Sequence, residues 1–297
     1  MTKHLSKIAI LGLAFFAAIP QALADGVPHA WGMGMQAPAT PVQLWVDKFH
    51  DILLYIIFFI SIFVLLLLIF VTARYNRATN PKPSKTAHNV KLEIIWTLVP
   101  ALILVGVAFI SFPLLYYSDR AAGTPDLTLK VTGHQWYWSY EYPDHGGVAF
   151  DSHGIWDSPQ VTDEQAKSLI AEVSSGWLVK GEPMRLLEVD NRVVLPIGKV
   201  VRVQVAGADV EHSWFVQSLG VNRMSVPGHL NELWIKVDRP GVFYGQCSMI
   251  CGNGHAYMPI VVEGVSEDVF EQWIKSKKTA VGENASGAAR FAAAIQH

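Results

Sequence analysis

Two long apolar runs, followed by a region in which apolar and polar residues alternate, divide the chain. Residues 52–72 are almost entirely Leu, Ile, Phe and Val, and residues 94–116 form a second apolar run. About 20 such residues cross the hydrocarbon core of a bilayer as a helix. The second run contains Pro100 and Pro113, which membrane helices tolerate when neighbouring groups satisfy the freed carbonyls. The pattern predicts a two-helix transmembrane hairpin over residues 52–117.

The segment between the two runs is basic and predicts the orientation of the hairpin. Its cations are Arg74, Arg77, Lys82, Lys85 and Lys91. By the positive-inside rule this loop lies in the cytoplasm, so the chain before residue 52 and after residue 117 lies outside. The first acid after these cations is Glu93, where the second run enters the membrane, and an acid at that position is usually an interfacial or snorkelling residue.

The N-terminus has the pattern of an export signal. Lys3 and Lys7 precede a short apolar stretch, and a small-residue Ala-x-Ala cleavage site ends at Ala24. This pattern predicts a signal peptide over residues 1–24 and an external arm over residues 25–51, in which residues 25–43 are rich in Gly, Pro, Ala and Met and are predicted to be irregular. An uncleaved membrane anchor is the alternative, although the apolar stretch is short for spanning and a proline interrupts it.

After residue 117 the pattern changes from helical to alternating. Short β-branched runs punctuated by Gly, Pro and Asn indicate an antiparallel β-barrel or sandwich. The predicted strands include residues 127–132, 200–205, 233–237 and 260–262. Residues 161–174 are predicted to form a helical insertion, and residues 266–277 a C-terminal helix with Ser266 as its N-cap. The last stretch, residues 279–297, is rich in Ala and Gly and is predicted to be a mobile tail.

Composition agrees with a membrane protein that carries one globular domain. Of the 297 residues, 51% are hydrophobic and only 16% are charged, which is too apolar for an ordinary soluble protein. The whole chain has a formal net charge of −2, whereas residues 119–278 contain 20 acids and 14 Lys and Arg residues, a net of −6. An acidic external domain attracts a basic protein partner and argues against binding to nucleic acid.

Soft metal ligands are concentrated in one loop near the end of the chain. The loop contains both cysteines, Cys247 and Cys251, followed by His255 and Met258. Such a set favours copper used for electron transfer, whereas zinc rarely takes Met and an iron–sulfur cluster needs about four cysteines. A mononuclear copper site of this kind needs one Cys, so two thiolates suit a binuclear centre, with His212 as the best candidate for a second imidazole. The alternative is a short disulfide between the two cysteines.

Three stretches together resemble subunit II of haem–copper cytochrome c oxidases. They are the Cys-x3-Cys-x3-His-x2-Met loop with an upstream His-Ser-Trp, residues 133–142 (GHQWYWSYEY) and residues 186–196 (LLEVDNRVVLP). The resemblance covers residues 40–278, approximately, and implies an α+β membrane protein. Its two-helix transmembrane hairpin precedes a cupredoxin-like antiparallel β-barrel over residues 118–278. The resemblance also implies a binuclear copper centre, CuA, on that barrel.

The resemblance further implies a role in respiration. The protein is expected to accept electrons from reduced cytochrome c and pass them to haem in subunit I, supporting reduction of O2 to water and proton pumping. The implied partners are subunits I and III and cytochrome c. The implied location is the bacterial inner membrane, with the copper domain in the periplasm.

The resemblance assigns roles to particular residues. The implied copper ligands are Cys247, Cys251, His212, His255, Met258 and the backbone carbonyl of Met249. Trp136 is the implied entry point for the electron, and Glu93 is implied to stand near the mouth of a proton path into subunit I. The implied docking acids are Glu141, Asp190 and Asp209, with Glu188, Asp144 and Asp151 as secondary contributors.

Position 249 departs from the family pattern. The family usually has Glu there, and its carboxylate resembles a ligand for Mg²⁺ or Mn²⁺ between subunits I and II. Here the residue is Met249, and Met224 stands where an Asp is common. A thioether is a poor ligand for a hard cation, so an Mg site with a carboxylate from this chain is not expected. The copper bond at this position uses a backbone oxygen, so the copper ligand set should stay intact.

Two related functions fit less well. Subunit II of quinol oxidases has the same architecture but lacks the Cys, His and Met ligands present here. Nitrous oxide reductase also carries CuA, but it is soluble and much longer, and the two apolar runs argue against it. A fused cytochrome c tail is not expected, because Cys-x-x-Cys-His does not occur.

Overall fold

The computed structural model describes residues 24–120, 123–155, 162, 164 and 184–278. The predicted signal peptide lies outside the described residues except for its last residue. The predicted tail and nearly all of the predicted helical insertion also lie outside them.

Two long helices, α1 (Pro41–Arg74) and α2 (Val90–Asp119), form the membrane hairpin. Both are long and apolar enough to cross a membrane. Each helix is longer than its apolar run, because its N-terminal capping residue lies in the polar segment that precedes the run. Thr40 accepts a hydrogen bond from the Gln43 amide at 3.1 Å, and Asn89 accepts one from the amide of the third helical residue of α2 at 3.2 Å. The predicted external arm therefore includes the first turns of α1.

The external domain consists of two β-sheets. The strands are β1 Ala24–Asp25, β2 Leu127–His134, β3 Tyr137–Tyr142, β4 Val148–Ser152, β5 Val193–Pro196, β6 Val201–Gly207, β7 His212–Val216, β8 Val221–Ser225, β9 Asn231–Ile235, β10 Gly241–Cys247 and β11 Pro259–Val265. One sheet has the order β5-β11-β10-β7-β8, with β1 also on β10, and the other has the order β4-β3-β2-β6-β9. Residues 267–278 form a C-terminal helix, α3. The predicted fold class, two membrane helices followed by a β-domain, is confirmed.

The sheets are mixed rather than purely antiparallel, which corrects one detail of the prediction. The pairs β1·β10, β2·β6 and β5·β11 are parallel. The partners in each of these pairs lie far apart in the chain and are joined by crossovers, which parallel pairing requires. Alternation within a single strand carries no information on the direction of its neighbour, so the sequence pattern could not predict it.

Large aromatic and aliphatic side chains fill the space between the sheets. Trp138 and Trp214 are completely buried there, and the Trp214 indole donates to the Tyr140 hydroxyl at 3.2 Å. Both cysteines and Met258 belong to the same buried cluster. The loop of predicted metal ligands is thus an extension of the core, and the packing that stabilises the domain also holds the loop.

The hairpin is attached to the β-domain at both helix ends. The Thr40 hydroxyl donates to the Leu219 carbonyl at 2.9 Å beside the start of α1. At the end of α2, the Trp234 indole donates to the Tyr117 carbonyl at 2.7 Å, and Arg223 pairs with Asp119. These contacts hold the β-domain at the ends of the two helices.

Candidate metal centre

Both cysteines lie in a short loop that leaves the end of β10. Cys247 is the last residue of that strand, and Cys251 lies in the turn that follows. Both are buried and free, and their sulfurs are 4.0 Å apart. A disulfide requires about 2.05 Å between the sulfurs, so the structure does not support the alternative of a disulfide.

His212, the first residue of β7, supplies an imidazole from the neighbouring strand. One atom of its ring and the two cysteine sulfurs all lie within 4.8 Å of one another. Its Nε2 is 2.9 Å from the Asp209 carboxylate, whereas Nδ1 is buried and has no hydrogen-bond partner among the described residues. An orphaned ring nitrogen beside two thiols is the arrangement expected of a metal ligand, because the carboxylate on the other nitrogen fixes the tautomer.

The remaining predicted ligands gather around the two thiols. His255 Nδ1 and Met258 Sδ each lie 3.5 Å from the sulfur of Cys251. The Met249 carbonyl oxygen is 3.2 Å from the sulfur of Cys247. The structure therefore brings all six predicted ligand groups together at the two cysteine sulfurs.

The pKa values of the two thiols are shifted in opposite directions. Burial raises the pKa of Cys247, but the nearby His212 imidazole and hydrogen bonds with backbone groups outweigh burial and leave this pKa below its ordinary value. Burial, followed by the nearby Cys247 sulfur, raises the pKa of Cys251 to about 12. Two thiolates this close repel each other, so both sulfurs can be ionised at neutral pH only when a cation compensates their charge.

Asp209 has a contact that sequence reasoning did not predict. It was predicted as a docking acid, but it also orients the His212 ring and accepts a hydrogen bond from the Gln135 amide at 2.7 Å. Burial raises its pKa, but the hydrogen bonds from His212 and the backbone outweigh burial and lower it. The Asp-x-x-His spacing was the available signal, although such a spacing alone seldom marks a paired carboxylate and imidazole.

Trp136 packs directly on the ligand loop. Its indole nitrogen donates to the Cys251 carbonyl at 3.2 Å, and the side chain of Gln135 donates to the same oxygen at 3.0 Å. Its ring covers two glycines of the loop so closely that a Cβ at Gly254 would overlap it, and a Cβ at Gly252 would lie 3.0 Å from it. Because the ring is also partly exposed, it connects solvent with the backbone of a predicted ligand.

The predicted docking acids differ in exposure. Glu141 is partly exposed and pairs with Lys130 at 3.2 Å. Asp190 is partly buried, where burial raises its pKa, and it accepts a hydrogen bond from the His153 amide at 2.7 Å. The prediction for Glu188 is wrong, because this side chain is buried and forms an internal ion pair.

Arg192 is the partner of Glu188 in that pair, and it lies between two acids. It is 2.7 Å from Glu188 and 2.5 Å from Glu263, and both carboxylates are less than a tenth exposed. This cluster connects the segment before β5 to β11. The charge of Glu188 therefore stabilises the fold and is absent from the surface.

Glu93 and Met249 mark two other predicted positions. Glu93 lies in the first turn of α2, where its carboxylate accepts a hydrogen bond from the Asn89 amide at 3.2 Å. It lies at the opposite end of the helix from the β-domain, about 39 Å from Asp119 at about 1.5 Å per residue. The Met249 side chain is partly exposed, and Met224 lies opposite Ser213 in the β7–β8 ladder. Within the described part of the chain, the only group of three or more His, Cys, Asp or Glu side chains placed to share a metal is the one at the two cysteines.

Comparison with known proteins covers both parts of the chain. The family model described as "Cytochrome C oxidase subunit II, transmembrane domain" matches residues 28–114, and the one described as "Cytochrome C oxidase subunit II, periplasmic domain" matches residues 127–265. A "Probable cytochrome c oxidase subunit 2" of Rickettsia bellii (strain RML369-C) is 43% identical over 284 residues, 95% of this chain and 97% of that protein. The "Cytochrome c oxidase subunit 2" of Cereibacter sphaeroides is 41% identical over 255 residues, 85% of this chain and 82% of that protein. Among solved structures, the periplasmic domain of subunit II of cytochrome oxidase (CoxB) of Bradyrhizobium japonicum is 41% identical, covers 54% of this chain and 99% of that chain, and has a TM-score of 0.44.

Proposed function

The chain belongs to the cytochrome c oxidase subunit II family and is therefore a subunit of a haem–copper terminal oxidase. We propose that it is the subunit through which electrons enter this enzyme. In this proposal it accepts electrons from reduced cytochrome c at a binuclear CuA centre and passes them to haem in subunit I. The observation that carries the proposal is the buried, unpartnered Nδ1 of His212 beside the sulfurs of Cys247 and Cys251.

The donor set fits a pair of copper ions. The thiolates of Cys247 and Cys251 would hold the two ions, and His212 and His255 would each supply one imidazole. Met258 would be a weak ligand, and the backbone carbonyl of residue 249 would complete the set. A pair of copper ions held by these residues would supply fast, reversible one-electron transfer.

The protein keeps these ligands rigid and shields them from water. Met258 is 1% exposed, and its carbonyl accepts a hydrogen bond from the Trp138 indole at 3.3 Å. His212 is completely buried and oriented by Asp209. Ligands fixed by buried packing and by hydrogen bonds cannot reorganise much when the charge of the site changes, which keeps the barrier to electron transfer low.

Electron entry is assigned to Trp136, and docking to the acidic surface around it. The hydrogen bond from the indole to the Cys251 carbonyl gives a short covalent and hydrogen-bonded route from a partly exposed ring to a bridging sulfur. The net charge of −6 on residues 119–278 attracts a basic partner such as cytochrome c. Among the predicted acids, Glu141 is placed to act at the surface, whereas Asp209 has a second role at His212.

Three finer assignments complete the proposal. The membrane is the bacterial inner membrane, with the β-domain in the periplasm and subunits I and III as partners. This chain gives no carboxylate to an Mg²⁺ site between subunits, because residues 224 and 249 are both Met. Glu93, at the opposite end of α2, serves the proton path of subunit I in addition to capping its helix.

The experiment that tests the copper proposal is metal analysis with electron paramagnetic resonance on the oxidase complex purified with this chain. Two coppers assigned to this chain, and one unpaired electron coupled to two copper nuclei, are the expected results. Cys251→Ser should abolish the two-nucleus spectrum, because one bridging sulfur cannot hold the pair. A single copper nucleus in the wild-type spectrum, or zinc in its place, would refute the proposal.

A further inference from the structure

Asn222, a residue of β8, joins two serines that are sequence neighbours of proposed copper ligands. It stands opposite Phe215 in the β7–β8 ladder. Its Oδ1 accepts a hydrogen bond from the Ser213 hydroxyl at 2.7 Å and another from the Ser248 hydroxyl at 3.2 Å. One oxygen atom therefore connects β7, β8 and the loop that follows β10.

The two serines are placed next to three of the proposed ligands. Ser213 follows His212 along β7, and Ser248 lies between Cys247 and Met249. Side chains alternate along a strand, and the rings of His212 and of Trp214, which follows Ser213, both face the core, so the Ser213 hydroxyl faces the other side of the sheet. Asn222 therefore acts on the ligand backbone from outside the metal centre.

The Asn222 hydrogen bonds lie where strand pairing stops. Between β7 and β10 the last paired residue of β10 is Cys247, which stands opposite Trp214. One more backbone hydrogen bond follows, from the Ser248 amide to the Ser213 carbonyl at 3.2 Å. The chain then leaves the sheet, so the shared Asn222 oxygen holds the first residue of the loop after the ladder has ended.

The carbonyl of Met249 is the proposed ligand that depends most on this attachment. Its oxygen lies 3.2 Å from the sulfur of Cys247. Because a peptide unit is planar, the direction of a carbonyl follows from the backbone torsion angles of its own and neighbouring residues. Holding Ser248 by both its amide and its hydroxyl restricts the direction in which the Met249 carbonyl points.

The loop of ligands is thereby held at both of its ends. At Cys251 the carbonyl accepts hydrogen bonds from the side chains of Gln135 and Trp136, at 3.0 and 3.2 Å. At Ser248 the corresponding attachment is the oxygen of Asn222. The two attachments come from different sheets, so either one can be removed while the other stays in place.

We propose that Asn222 is a positioning residue of the metal centre: its side-chain oxygen holds Ser248 against Ser213 and so fixes the Met249 carbonyl beside the sulfur of Cys247. This role rests on the proposed copper function, although the chain alone forms the hydrogen bonds. Groups behind the ligands orient them and influence a bound metal without contacting it.

The first test measures the loop itself and needs no copper. Hydrogen–deuterium exchange is followed in peptides that cover residues 246–252 of the purified oxidase complex. Asn222→Leu is similar in size but accepts no hydrogen bond, and exchange of the loop amides should become about tenfold faster, because each net hydrogen bond shifts a local equilibrium by about two- to tenfold. Asn222→Asp keeps an acceptor oxygen and should exchange like the wild type.

The second readout is the electron paramagnetic resonance spectrum of the same samples. Asn222→Leu should change the copper hyperfine pattern, whereas Asn222→Asp should keep two equivalent nuclei. The matched control is Asn231→Leu, which removes an amide that donates to the Met224 carbonyl of β8 at 2.8 Å. This control should leave both the exchange of the loop and the copper spectrum as in the wild type.

The outcomes separate this inference from the proposed function. Wild-type exchange or a wild-type spectrum in Asn222→Leu would overturn the role of Asn222, and so would equally fast loop exchange in Asn222→Asp or Asn231→Leu. A wild-type complex without the two-copper spectrum would instead refute the proposed function. In that case the exchange comparison still decides whether Asn222 holds the loop.

Discussion

Gly254→Ala should displace the Trp136 ring without changing any proposed copper ligand. The backbone of Gly254 has φ −90° and ψ 9°, a conformation that alanine can adopt, so the effect of the substitution is steric. The new Cβ would lie 2.7 Å from Cε3 of the ring and closer still to Cγ and Cδ2. Ordinary contact needs about 3.5–4.0 Å, so the ring has to move by about 1 Å or more.

This displacement should slow electron entry. Overpacking of this kind costs about 1–3 kcal/mol of stability, which a domain with a core this large tolerates. A misplacement of about 1 Å at a reacting contact can cost about 100-fold in rate, so we expect uptake from reduced cytochrome c to fall by about 10- to 100-fold. The assay is stopped-flow mixing with reduced cytochrome c, with the near-infrared copper spectrum recorded on the same sample.

The controls separate displacement of the ring from damage to the metal centre. Gly34→Ala adds the same methyl group where nothing lies within 4 Å, and it should leave uptake unchanged. Trp136→Gln removes the ring and should slow uptake at least as much as Gly254→Ala. Wild-type uptake in both Gly254→Ala and Trp136→Gln, with the copper spectrum intact, would show that electrons enter elsewhere.

Three further predictions concern stability, docking and the missing carboxylate. Arg192→Met should lower the stability of the protein by about 3–5 kcal/mol, because it leaves two buried carboxylates without their cation. Lys199→Met, at an exposed ion pair, should change stability much less; thermal unfolding of both variants is the measurement, and equal melting temperatures would contradict the prediction. Glu141→Gln should weaken binding of cytochrome c and flatten its salt dependence, and Asp190→Asn should do so less because that carboxyl is partly buried; steady-state KM measured against ionic strength tests this ordering. Met249→Glu should increase the ordered Mn²⁺ paramagnetic resonance signal of the assembled oxidase while the copper spectrum stays the same, and equal Mn²⁺ occupancy in wild type and variant would show that residue 249 has no influence on that cation.

Local patterns in the sequence were sufficient to predict two helices followed by a β-domain. The two apolar runs predicted the helices, because about 20 apolar residues must avoid water whatever surrounds them. The helix ends were wrong by several residues, since capping by Thr40 and Asn89 extends both helices into polar flanks. The direction of strand pairing could not be predicted, because β2 and β6 become neighbours only when the domain closes.

The ligand types were also determined by the sequence, because metal selectivity follows from the chemistry of Cys, His and Met side chains at short spacing. Only the tertiary structure decided the roles that depend on contacts distant in the chain. It placed Asp209 on the Nε2 of His212, Glu188 inside an ion pair, and Trp136 over Gly254. A carboxylate has the same sequence signature at a surface, in a buried pair or behind a ligand. The difference between these roles is burial and distance, and folding alone sets both.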